Sequence, residues 1–100
     1  MADVVAAPSL PNLYIVARVL ERLWEADAPM LRTHLQMAAN VNYDVFSRYL
    51  DWMVSKALVT FEDNPGHHAK VVLTAKGRNS YLKLVQWINE VVHNKAPGLV

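Results

Sequence analysis

From Asn42 to Arg78 the chain reads N-Y-D-V-F-S-R-Y-L-D-W-M-V-S-K-A-L-V-T-F-E, then D-N-P-G-H-H, then A-K-V-V-L-T-A-K-G-R. This order leaves few folds open. Phe46, Leu50 and Met53 recur at helical spacing with Val54 beside them, while Val45, Ser47, Arg48 and Asp51 point largely elsewhere. That pattern predicts an amphipathic helix from about Tyr43 to Lys56. Leu58 and Val59 pack back after it. Val59 to Glu62 alternates as a strand, Lys70 to Leu73 supplies a partner, and Asp63-Asn64-Pro65-Gly66 is a dense turn signal between them. The loop through His68 is long enough for the hairpin to protrude.

The flanking segments are helical. Pro8 and Pro11 precede the first, and Ser9 or Asn12 can cap it. Leu13, Val16, Ala17, Leu20, Leu23 and Trp24 make its apolar stripe, and Asp27-Ala28-Pro29 ends it. Glu21 and Glu25 stand at pairing distance from Arg18 and Arg22. Met30 to Ala39 reads as a short second helix with Leu31, Leu35 and Ala38 inward. Asn40-Val41-Asn42 is a tight connection, and Asn42 can cap the third helix. Thr74 can cap a last helix from Ala75 to about Asn94, whose stripe is Tyr81, Leu84, Val85, Ile88, Val91 and Val92. Some twenty residues of helix span roughly 30 Å, more than a compact three-helix body covers, so the outer part should seek another chain.

At 100 residues the chain is expected to be one domain, or one domain plus an arm. The expected division is a disordered lead-in at 1–10, a domain at 11–74 and a dimerising helix at 75–95. A hydrophobic fraction of 53% is a surplus for so small a body, which again favours an oligomer. With no Cys there are no disulfides or thiolates, which fits a reducing cytoplasm. No run reaches the roughly 18–20 apolar residues that span a bilayer, and the start of the chain lacks the basic lead of a secretory signal. Net charge is only +1, but it is unevenly spread. Residues 1–63 hold five Lys or Arg against eight Asp or Glu, net −3, and residues 64–100 hold five against one, net +4. Such asymmetry makes a local field where the total does not.

The assembled pieces resemble the small archaeal winged helix-turn-helix DNA-binding proteins. The resemblance rests on Asn42-Tyr43, Tyr49-Leu50, Lys56, Leu58 and Leu73-Thr74-Ala75-Lys76-Gly77-Arg78, in that order and spacing. It covers about Leu13 to Val92. It implies a mostly α (α+β) winged helix-turn-helix with a three-helix core, a two-stranded wing and a long C-terminal helix. It further implies a homodimer on double-stranded DNA, held together by the last helix through Tyr81, Leu84, Val85, Ile88, Val91 and Val92. Some members look like transcription regulators and others like chromatin proteins, and the near-neutral charge of this chain points to a transcription regulator, cytoplasmic and nucleoid-associated. Where the family has Gly after the lysine, this chain has Ala57, so a left-handed turn at that helix end is less comfortable.

On this reading Arg48 and Ser47 reach base edges, since Arg is the commonest partner of guanine in the major groove. The plainer alternative for Arg48 is a solvated arginine paired with Asp44 or Asp51. Asn42 and Tyr43 open the helix where a phosphate can sit on its N-terminus; the alternatives are a cap and a packing ring. Lys70 with His67 and His68 belongs to the wing. Arg32, Lys76 and Arg78 are candidate phosphate contacts, or simply solubilising charges. A rival reading from another class is a winged helix that docks proteins without binding DNA.

Other chemistries find little support. His67 and His68 are adjacent, His34 and His93 are remote, and no Cys joins them, so no structural metal set is expected. No nucleophile elbow, Gly-rich phosphate loop or paired-carboxylate motif appears, and neither an enzyme nor a cofactor is expected. Trp52 and Trp87 fall off the inward stripes; they are read as filling the joint between the last helix and the body, or the dimer contact.

Overall fold

A computed structural model describes residues 11–93. The lead-in expected at 1–10 and the helix stop after His93 lie outside these residues. Helix α1 spans Leu13–Ala26, and Asn12 caps it by accepting from the Tyr14 N–H at 2.9 Å. Its buried residues are Val16, Val19, Leu20 and Leu23. Leu13, expected inside, is 44% exposed, whereas Val19 is fully buried. The inward face is therefore centred one position away from the predicted stripe. Asp27 closes the helix in the left-handed region, at φ 50°.

Met30 and Leu31 do not start the second helix. They form a two-residue strand, β1, antiparallel to β3 (Lys70–Leu73), with Met30 opposite Val71 and Leu31 opposite Lys70. Strand β2, Val59–Glu62, lies on the other side of β3, with Glu62 opposite Lys70 and Val59 opposite Leu73. The sheet thus has three strands in the order β1-β3-β2, of which β2 and β3 form the wing. Two residues are too few to carry a period, so this strand left no pattern to read.

Helix α2, Arg32–Ala39, buries Leu35 and Ala39. Ala38 faces outward, contrary to expectation. Its carbonyl accepts from Arg22 Nε at 3.1 Å, and those of Ala39 and Asn40 accept from Arg18 Nη1. Two α1 arginines thus satisfy carbonyls at the end of α2 that have no helical partner. Helix α3, Tyr43–Ser55, is capped by Asn42, which accepts from the N–H groups of Asp44 and Val45. Phe46, Leu50 and Met53 are its buried face, as the period predicts. Each such side chain contributes about 1.5–3 kcal/mol by leaving water.

Helix α4 spans Ala75–Trp87 and continues as a π-helical turn, Ile88–His93, instead of an unbroken α-helix. Thr74 joins it to the body. Its hydroxyl donates toward the carbonyls of Ala57 and Leu58 at 2.6 and 2.9 Å and accepts from the Gly77 N–H at 2.9 Å. Any Cβ at Gly77 would collide with the Leu58 carbonyl, so the helix can dock this closely only with glycine there.

Candidate nucleic-acid interface

Tyr43 opens α3 with its ring 53% exposed, one residue after the cap. Arg48 is also exposed and forms no ion pair with Asp44 or Asp51 among the described residues. Ser47 is half-buried, and its hydroxyl accepts from Arg32 Nη2 at 3.1 Å. Arg32 therefore bridges the start of α2 to the outer face of α3. Its Nε is buried and has no partner among the described residues.

The wing meets these residues. Leu31 from β1, Arg32 and Thr33 from the start of α2, Tyr43 from α3, and Phe61, His68 and Ala69 from the wing line one cleft of about 360 Å³. Lys70 is half-buried at the loop end of the hairpin strands, opposite Leu31 and Glu62. Asn42, Tyr43, Arg32 and the wing are thus brought together. The face is not uniformly basic, because Asp44, Asp51, Glu62 and Asp63 are exposed as well.

Lys76 and Arg78 are not part of this cleft. Lys76 is exposed on the first turn of α4. Arg78 turns toward the end of α1, where Nη2 lies 3.5 Å from Asp27 Oδ1 and the guanidinium stands 5.6 Å from the centre of the Trp24 ring. That is a packing role which the sequence did not suggest.

The residues expected between subunits divide in two. Tyr81 is buried in its own chain, its ring 5.3 Å from that of Trp24. Burial, then the carboxylates of Glu21 and Glu25, push its phenol pKa above the ordinary value. Leu84 and Val85 pack against the core, and Ile88 is half-buried. Val91 and Val92 are 58% and 48% exposed. Trp52 packs partly on the core, whereas Trp87 is 51% exposed.

Helix α3, the hairpin after it and the capped helix beyond follow the order found in one family. A winged helix-turn-helix profile matches residues 12–92. The chain belongs to the winged helix-turn-helix family. Among solved structures it is similar to F93 from STIV, a winged-helix DNA-binding protein, at 15% identity and TM-score 0.75, over 86% of this chain and all of that one. It is similar to a MarR family transcriptional regulator from Silicibacter pomeroyi at 29% identity and TM-score 0.64, over 72% of this chain. This chain spans about half of that regulator, 49% of its length. The transcriptional regulator BldR from Sulfolobus solfataricus matches at 19% identity and TM-score 0.64, over 85% of this chain and 64% of that one. No curated protein matches. Among the described residues no helix is long and apolar enough to cross a membrane.

Two features of this winged helix-turn-helix face went unread in the sequence. Phe61 shares its strand side with Val59, so alternation assigns both to the core. Val59 is buried, but Phe61 lies further out, where the hairpin leaves the body, and is 42% exposed. The Arg32–Ser47 contact joins residues 15 apart on different helices, and no local pattern announces it.

Proposed function

We propose that the protein binds double-stranded DNA as a homodimer and regulates transcription. The observation that carries this reading is the convergence of Arg32, Tyr43 and the wing on one cleft, with Arg48 exposed on the same helix as Tyr43. A helix and a ribbon that share a face can engage a groove and the adjoining backbone together. In this mechanism α3 enters the major groove. Arg48, Ser47 and Tyr43 read bases, and Asn42 holds the helix start against a phosphate. Arg32 and Lys70 neutralise phosphate, with Lys76 and Arg78 at the flank. Two copies related by a twofold axis would place their α3 helices about 34 Å apart. Val91, Val92, Ile88, Leu84 and Val85 would meet their counterparts, with Tyr81 supporting them from within.

Few cations per subunit mean modest affinity with a marked salt dependence. The test is an anisotropy titration of a random duplex across a salt series. Wild-type protein should bind, weakening as salt rises. Arg48→Ala should weaken binding by about tenfold, the low end of what one Arg–guanine contact contributes. Absence of binding even at low salt would transfer the face, with its exposed Asp44, Asp51, Glu62 and Asp63, to the docking of a protein partner.

A further inference from the structure

Groove reading by α3 uses Tyr43 and Arg32 but gives Phe61, which lines the same cleft, no task. Trp24 and Tyr81 are the ring pair in contact among the described residues, so Tyr43 and Phe61 share the cleft without stacking on each other. Among the described residues no carboxylate lines the space; Thr33 and His68 line it together with the Arg32 side chain.

We propose that this cleft takes one unpaired base of a DNA strand, stacked against Phe61 and Tyr43, with the phosphate of that nucleotide on Arg32. A planar, apolar-faced, anion-bearing group matches the two unstacked rings, the Arg32 guanidinium and the missing carboxylates at once. A saturated or acidic peptide side chain matches fewer of them. A base within an intact duplex is held in its stack, and extruding it costs least where it is already unpaired or mismatched. The protein should therefore favour duplexes that carry such a defect. Stacking on an exposed ring tolerates any base, so the preference follows the defect and not its sequence. The inference rests on the DNA reading above, and the experiment separates the two.

The full chain is titrated against a matched duplex and against the same duplex with a single-base bulge, both end-labelled, with 2-aminopurine at the bulge in a parallel series. Binding to the bulged duplex should be about tenfold tighter, in line with one base stacked on an aromatic side chain. The 2-aminopurine fluorescence should change on binding. Phe61→Leu, which keeps an apolar side chain and removes the ring, should abolish the preference while leaving matched-duplex affinity as it was. Phe61→Tyr should retain it. Equal affinity for the two duplexes would overturn the cleft assignment and leave duplex binding standing. A preference that survives Phe61→Leu would also overturn it, since the bulge would then be recognised through its bend. Binding to neither duplex would remove the DNA reading and this inference together.

Discussion

Ala57 stands in the left-handed region at φ 60°, at the turn that ends α3. The Ala57 N–H reaches the Val54 carbonyl at 2.9 Å and the Leu58 N–H reaches that of Met53 at 2.9 Å, so the turn is closed by hydrogen bonds that hold the conformation. A Cβ in that region crowds the following carbonyl and costs roughly 1–2 kcal/mol. Glycine removes the crowding but returns some entropy to the unfolded chain, which offsets part of the gain. Ala57→Gly should therefore stabilise the protein by about 1 kcal/mol, which raises Tm by about 4–8 °C for a domain of this size. A melting curve that shifts downward would mean the turn relaxes the strain in another way. Asn40, at φ 54°, occupies the same region at less cost, because asparagine tolerates it.

At the scale of elements, Leu73 to Arg78 shows why a family motif can be structural. Thr74 ties the start of α4 to two carbonyls at the end of the α3 turn, Gly77 lets the helix touch Leu58, and Arg78 fastens the same helix to α1. Gly77→Ala should cost about 1–3 kcal/mol, the usual range for forcing atoms into a packed contact. The loss would appear as a lower urea midpoint at an unchanged slope. A neutral result would mean α4 can slide away from Leu58, so that the joint is softer than its geometry implies. The elements legible in the sequence were those with a period or a cap: α3 through Phe46, Leu50 and Met53, and the helix starts through Asn12, Asn42 and Thr74. Strand β1 was illegible because its only warrant is pairing with Val71 and Lys70, some forty residues onward. The π-helical turn at Ile88–His93 shares its apolar residues with the α-helical pattern that was expected. For the candidate site, local sequence marked Arg48 as an outward residue of α3 and left Tyr43 open between a phosphate contact and a packing ring. It could not show Arg32 reaching Ser47, or Phe61 leaving the core side of its strand, because both follow from how separate elements meet.

For the whole molecule the open question is what covers the far end of α4. Trp87, Val91 and Val92 are exposed there, and across a groove shared with Val85 and Ile88 stands Tyr14 of α1, itself 55% exposed. Single exposed apolar residues are ordinary, but several near one helix end make a patch that solvent disfavours. A twofold axis through this region would bury the same residues twice, which is the economy of a self-complementary contact. It would also couple assembly to DNA binding, since two tethered copies of α3 bind at a far higher effective concentration than separate ones. Wild-type protein should sediment as a dimer at micromolar concentration. Val91→Asp, at an exposed position that the monomer fold does not need, should shift it to monomer with its far-ultraviolet spectrum intact and weaken duplex binding by at least tenfold. A wild-type monomer at that concentration would detach α4 from the dimer role. A Val91→Asp dimer would move the contact to another face. A monomeric variant with undiminished affinity would show that one α3 and one wing suffice to hold a duplex.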